Sequence, residues 1–153
     1  MFLTDDQFKN VIEYTPLVSI DLVVCNMSGQ ILVGKRNNRP AKGDWFVPGG
    51  RVLKNEALHQ AFKRLSLKEL GVEFSMSNAS FLGVFEHFYD DCFFDEFIST
   101  HYVVLAYQLN IDEHSLCLQD EQHCEYRWMD IASLLSSDSV HQNTKRYFER
   151  ECL

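Results

Sequence analysis

GGRVLKNEALHQAFKRLSLKELG, residues 49–71, decides how the rest of the chain is read. It opens on two glycines and runs into a helical pattern. Asn55 suits an N-cap and Glu56 the positive first turn. Ala57, Leu58, Ala61, Phe62 and Leu65 make an apolar stripe at helical spacing, so a helix is expected over 56–70, with Gly71 as its C′ stop. Five residues separate Gly50 from Glu56, and seven separate Glu56 from Arg64; Glu69 and Gly71 follow. Positions 65, 68 and 69 lie three and four residues apart and are expected on one helix face. A strand, a glycine turn and a helix in this order bring free backbone groups and charged side chains to one cleft.

Upstream, WFVPGG (45–50) reads as a short strand stopped by Pro48 and the glycines. LVSIDLVVC (17–25) and QILVGKR (30–36) read as strands joined by a turn at 27–29, and NNRPAKGD (37–44) is loop chemistry. Residues 4–14 suit a short helix, with Thr4 as N-cap and Asp5 and Asp6 in the first turn. Downstream, strands are expected near 80–90 and 99–109, and DEQHCEYRWM (120–129) ends in another. Helical stretches at 130–136 and 139–151 follow. The class is mixed α/β.

The 153 residues are one domain's worth, taken as 1–153. Hydrophobic residues at 46% and charged residues at 24% exclude global disorder, collagen and coiled coil. No run approaches ~18 apolar residues, so no membrane helix is expected. MFLTDDQF lacks the basic start of a secretion signal. A net charge of −8 argues against a nucleic-acid or anionic-membrane binder, but leaves room for a small anion in a basic cleft. Cys25, Cys92, Cys117, Cys124 and Cys152 are odd in number and form no C-x-x-C pair. They point to a reducing cytosol and to buried thiols, not to disulfides or zinc.

The spacing of Gly50, Glu56, Arg64, Glu69 and Gly71 resembles the Nudix box, G-x5-E-x7-R-E-U-x-E-E-x-G-U, with U a bulky aliphatic residue. Trp45, Pro48, Gly49 and Gly50 suit that family too. The resemblance implies a Nudix fold, an α/β/α sandwich with a mixed central sheet. Nudix enzymes usually gather magnesium with acids at the positions of Leu65, Lys68 and Glu69; Ser66 replaces an aliphatic residue. One carboxylate remains where three are typical. That weakens a multi-metal site and attack at phosphorus, and leaves room for one Mg²⁺ per subunit. Mg²⁺ takes six oxygens, few of them from protein when phosphates are present. Glu69 supplies one, the Gly49 carbonyl another, and DEQH (120–123) is the best source of the remaining ligand. Mn²⁺ fits the same donors. The blander reading of Glu69 is a solvated surface acid.

Further segments carry a closer resemblance: TPLVSIDLVV (15–24), GKRNNRPAKGDWFVPGGRV (34–52), HFYDD (87–91), THYVVL (100–105) and DEQHCEYRW (120–128). With the RL…ELG box they are similar to the GDP-mannose mannosyl hydrolases, a Nudix branch. This implies a cytoplasmic enzyme that hydrolyses GDP-mannose, and usually GDP-glucose, to GDP and free sugar. Water attacks the anomeric carbon with inversion. The resemblance puts metal ligands at the Gly49 carbonyl, Glu69 and Gln122, and the general base at His123. Arg36, Arg51 and Arg64 become the diphosphate and leaving-group cations. His87, Tyr89 and Tyr102 approach the sugar and phosphates, and Asp21 holds the sugar or orients a partner. Phe2, Leu3 and Phe8 meet the nucleotide, at a dimer interface in the homodimers of this branch.

The residues agree in kind. Planar Arg forks bind phosphate oxygens bidentately, and an imidazole of pKa about 6.5 suits a base near neutral pH. Each also has a plainer reading. Arg36 and Arg51 are then solvated loop cations, and Arg64 pairs with Glu56. His123 titrates in a loop, His87 and His101 are core or sheet residues, and Tyr89 and Tyr102 pack. Asp21 interrupts an apolar strand and needs a partner, either substrate or Arg. His59, His114 and His141 read as surface residues, and Asp90–Asp91 as a turn. Two other functions compete. A Nudix pyrophosphatase giving GMP and mannose 1-phosphate is opposed by the missing acids. A non-catalytic nucleotide-sugar sensor is opposed by Arg64, Glu69, Gln122 and His123 standing together.

Overall fold

The nine-residue strand β1 (Leu17–Cys25) is the axis of the molecule. The computed structural model describes residues 2–118 and 123–149. β1 runs parallel to β6 (Thr100–Asn110), from Leu17 opposite Tyr102 to Cys25 opposite Asn110. The other pairings are antiparallel. β2 (Ile31–Arg36) lies on the far side of β1, β3 (Trp45–Phe46) on β2, and β5 (Ser80–Tyr89) on β6. The order is β3-β2-β1-β6-β5; β4 (Gly49–Arg51) adds to β1 and β7 (His123–Met129) to β2.

Strand alternation then sorts β1 between two layers. Ile20, Leu22 and Val24 pack with Ala61, Phe62, Leu65 and Leu70 of α2 (Leu58–Leu70). Val23 turns the other way, into a cluster with Trp45, Val47, Met129, Val140 and Leu134 of α3 (Ile131–Ser136). The helix α1 (Asp5–Tyr14) closes the end of that second face through Ile12, which packs with Leu17 and Cys92. The result is the expected α/β/α sandwich around a mixed sheet. Asp21 shares the second face and lies opposite Gly49 on β4. Among the described residues, no helix is long and apolar enough to cross a membrane.

Thr4 caps α1 as expected. Its hydroxyl accepts from Gln7 N at 3.3 Å, and the Gln7 side chain returns to Thr4 N at 3.0 Å. α2 departs from expectation at its start. It begins at Leu58, not 56, because Asn55 adopts a left-handed φ of 65° and Ala57 is the N-cap. Glu56 therefore stays outside the helix. At the other end Gly71, with φ of 73°, is the C-cap. A Cβ there would lie 1.8 Å from the carbonyl of Cys117, so only glycine fits. The buried Ser66 also finds its reason. Its hydroxyl donates to Lys63 O and accepts from Phe74 N at 2.9 Å, tying the chain after α2 back to the helix.

The expected strand at 45–50 is two short pieces. Pro48 has no N–H for a ladder; its carbonyl accepts from Leu22 N at 2.8 Å, and β4 starts after it. The helix expected over 139–151 shrinks to α4 (Gln142–Lys145). Ser139 and His141 are held by backbone bonds to Trp45, and Val140 bridges to that residue as a strand. This sheet contact overrides the helical pattern. The chain then turns through Tyr147 and Phe148.

Candidate active site

The strands on the second face converge on a cavity of about 80 Å³. β1 supplies Ser19 and Asp21, the end of β2 supplies Arg36, and β3 supplies Phe46. β4 brings Gly49, Gly50 and Arg51, β5 brings His87 and Tyr89, and β6 brings Tyr102. Of the candidate residues, Asp21, Arg36, Gly49, Arg51, His87, Tyr89 and Tyr102 thus come together.

Burial sets the electrostatics of this cavity. It pushes the Asp21 carboxyl up to about 7, although a hydrogen bond from Tyr147 and the charge of Arg36 pull the other way. It pushes His87 down to about 4, with His141 and Arg146 adding repulsion, so the ring is neutral near pH 7. It also raises the phenols of Tyr89 and Tyr102, which keep their protons as donors. Burial lowers the pKa of Arg51 as well, but a guanidinium stays charged. The cavity therefore sets cationic Arg36 and Arg51 beside the neutral hydrogen-bonding groups of His87, Tyr89 and Tyr102, with the Asp21 carboxyl among them. The arginines are steered by aromatic faces: Arg51 lies 4.0 Å over the ring of Phe8, and Arg36 5.8 Å over Phe46.

A second cavity, about 160 Å³, adjoins the first and shares Arg36, Pro40 and Tyr102 with it. Phe8, Ile12 and Phe93 give it an apolar wall, and Arg39 adds a further cation. Phe8 is thus at the site, while Phe2 is 89% exposed and Leu3 is half-buried, and neither lines either of these two cavities.

Beside the charge of Arg36, Asp21 has a partner that was not expected. It is the hydroxyl of Tyr147, which donates to Oδ2 at 2.5 Å. Tyr147, Asn143 and His141 are residues that sequence reasoning missed. His141 is not a plain surface residue: it stacks on Phe46 at 4.7 Å, and its Nδ1 accepts from Asn143 N at 3.0 Å. Asn143 is buried, and its Oδ1 accepts from Arg146 Nη1 at 3.4 Å. The one available signal was the need of Asp21 for a partner; nothing local to 141–147 marks these residues.

Arg64 lies away from the cavity lining, held by Glu56 and by the carbonyl of Arg51. Its Nη2 donates to the Arg51 carbonyl at 2.9 Å, which fixes the strand that carries Arg51. On α2, Leu65 and Glu69 are buried and Lys68 is exposed, so the three do not share one environment. At 100° per residue, 65 and 69 are 40° apart while 68 falls over the edge of the stripe. Glu69 is 3% exposed, so it is not a solvated surface acid.

The donors for a metal are few. Leu65 packs against Gly50, whose added Cβ would meet Leu65 Cδ2 at 2.5 Å. Gly49 lies flat on β1: a Cβ there would be 2.4 Å from Asp21 Oδ1 and 2.5 Å from Ile20 O. Its backbone therefore borders the cavity with no side chain in the way. Among the described residues, no three His, Cys, Asp or Glu side chains gather as for a metal cage. A backbone oxygen and one buried carboxylate fit a single hard cation that leaves most of its shell to water and phosphate oxygens. Gln122 lies outside the described residues. His123 enters β7 opposite Arg36, but its side chain is not among those described.

A family model described as the NUDIX domain matches residues 15–151. The low-salt glycan biosynthesis protein Agl8 of Haloferax volcanii is 37% identical over 147 residues, covering 96% of this chain and 89% of that protein. Among solved structures, the MutT protein from Methanosarcina mazei Go1 has a TM-score of 0.71 at 20% identity, covering 90% of this chain and 94% of that one. The NUDIX domain of Shewanella oneidensis NrtR, complexed with ADP ribose, has a TM-score of 0.66 at 17% identity, covering 95% and 96%. At these identities the structural likeness carries the fold alone.

Proposed function

The chain belongs to the Nudix hydrolase family, and we propose that it is a GDP-mannose mannosyl hydrolase, cleaving GDP-mannose and GDP-glucose to GDP and free sugar. One observation carries this reading: Leu65, buried under Gly50, stands where a metal-gathering acid is usual. With Lys68 exposed, Glu69 is the box carboxylate left to work with. Attack at phosphorus, which relies on several metal-bound acids, loses its support. Attack at carbon needs a good leaving group instead, and the cavity has two guanidinium groups for a diphosphate.

In this reading Arg36 and Arg51 bind the diphosphate and neutralise the charge that grows on departing GDP. Asp21, His87, Tyr89 and Tyr102 take the sugar hydroxyls. His123 removes the proton from the attacking water, which adds to the anomeric carbon as the bond to GDP breaks. Arg64 acts through Arg51, whose carbonyl it holds. The Gly49 carbonyl, Glu69 and Gln122 are the residues to hold one Mg²⁺, which supplies positive charge to the diphosphate; Mn²⁺ suits the same oxygens. Phe8, at the second cavity, serves the nucleotide. Exposed Phe2 and its neighbour Leu3 join it in a homodimer. The name of the Haloferax relative, a glycan biosynthesis protein, fits a nucleotide-sugar substrate. The odd set of cysteines fits a cytosolic enzyme of one domain.

The test is turnover of GDP-mannose with Mg²⁺ in ¹⁸O-water, read by mass spectrometry and anomeric proton NMR. Label in β-mannose with unlabelled GDP is the expected result. Label in GMP or mannose 1-phosphate would replace this reading with a pyrophosphatase. Binding without turnover would replace it with a sensor.

A further inference from the structure

The hydroxyl of Tyr147 sits between two residues of the cavity without lining the cavity itself. It donates to Asp21 Oδ2 at 2.5 Å and lies 3.2 Å from His87 Nε2. A phenol has one proton. Once that proton is given to the carboxylate, the contact with His87 needs a donor on the ring, and Nε2–H is the one in place. The chain of bonds then runs from His87 Nε2–H to Tyr147 Oη, and from Tyr147 Oη–H to Asp21 Oδ2. Two things follow. Oδ2 is committed, which fixes the plane of the carboxylate and leaves Oδ1 beside the Gly49 backbone at the cavity. The neutral His87 ring is held in one tautomer, with Nδ1 as its acceptor. Tyr147 is itself locked, edge-on to Phe85 at 4.7 Å and packed in the cluster of Val23, Val33 and Leu134.

We propose that Tyr147 is a positioning residue of the active site, which sets the orientation of Asp21 and the tautomer of His87 for the sugar end of the substrate. The substrate in this statement rests on the GDP-sugar reading above; the geometry does not. Tyr147 touches no substrate. It acts through the two residues that do, and it brings the chain after α4 into the site.

The experiment is Tyr147→Phe in the full chain, with two readouts. Phe keeps the ring that packs on Phe85, so the substitution removes the hydroxyl alone. Long-range ¹H–¹⁵N correlation of the His87 ring reads the tautomer with no substrate present. At pH 8, with the Asp21 carboxylate ionised, wild type is expected as Nε2–H, and the variant as a mixture. In steady-state hydrolysis of GDP-mannose, kcat is expected to fall about tenfold or more, with KM within about threefold, since the arginines still bind the diphosphate. Wild-type His87 as the Nδ1–H tautomer would overturn the proposal, even if the variant did not fold. So would an unchanged tautomer, or unchanged kcat with only lowered stability. If no GDP sugar is turned over by wild type, the tautomer result still stands, and the substrate reading alone falls.

Discussion

Arg64 grips Glu56 with two nitrogens: Nε lies 3.1 Å from both carboxylate oxygens and Nη2 lies 3.0 Å from Oε1. The same Nη2 donates to the carbonyl of Arg51 at 2.9 Å. One fork thus ties helix α2 to the loop before it and to strand β4. Glu56 is the more buried partner, its side chain 13% exposed. Arg64→Ala therefore leaves a largely shielded carboxylate and an open carbonyl. The expected loss is about 2 kcal/mol in urea denaturation, and Arg64→Lys recovers less than half of it because an ammonium cannot make the fork. A loss within the noise of surface variants would contradict the geometry.

The two glycines of the turn are not equivalent. An alanine at 50 presses on the end of a leucine side chain, which can give way; one at 49 presses on the backbone carbonyl of Ile20, which cannot. Gly49→Ala is expected to cost more stability than Gly50→Ala, whose overpacking is on the order of 1–3 kcal/mol. Trimming the neighbour with Leu65→Val partly relieves Gly50→Ala and does nothing for Gly49→Ala. A double-mutant cycle on melting curves measures this coupling.

His87 and Asp21 give stability opposite responses to pH. The folded His87 ring titrates at about 4, below the ordinary value of 6.5. Between these values the unfolded chain holds the extra proton, so stability rises with pH. Asp21 is held at about 7 against an ordinary 3.8. There the folded chain holds the extra proton, so stability falls as pH rises through that range. In wild type the two slopes largely offset each other between pH 4 and 6.5. Asp21→Asn removes one of them. Acidified from pH 6.5 to 4, that variant is expected to lose about 3 kcal/mol more than wild type. Urea midpoints across that range, taken with EDTA present, decide it; parallel curves for the two proteins would sink the account.

For the metal, Glu69 and Lys68 make a matched pair of probes. Glu69 is buried on the face of α2 that packs inward, and Lys68 is in solvent. Glu69→Gln is expected to raise the Mg²⁺ needed for half-maximal turnover by at least about tenfold. Lys68→Ala is expected to leave it where it was. Magnesium titrations of both variants test this, and equal midpoints for Glu69→Gln and wild type would remove Glu69 from the site.

What sequence could reveal here follows the range of the forces involved. β1 was legible because its run of Leu, Val and Ile is a local pattern, and Thr4 because its cap bonds span three residues. The α2 start was misplaced by two residues because a left-handed Asn55 looks like any N-cap candidate in sequence. The end of the chain was misread as a longer helix because the pull on it comes from Trp45, almost a hundred residues earlier in the chain. The same distance hid Tyr147. Asp21 announced that it needed a partner, and a charge interrupting an apolar strand always does. Which residue would answer depended on how the last turn folds back over the sheet, and no spacing encodes that.

The bond between Asp21 and Tyr147 spans 126 residues. A ribosome adds roughly 5–20 residues per second, so about 6–25 s pass between making the carboxylate and making its partner. For that interval the growing chain can form β1 only with Asp21 lacking the hydroxyl that Tyr147 donates. The strands β1 to β6 and α2 are all synthesised before the group that steadies Asp21. Order of synthesis therefore makes the lining of the cavity before the residue that steadies it, and a chain stalled before Tyr147 would present the arginines without the group that holds the acid beside them.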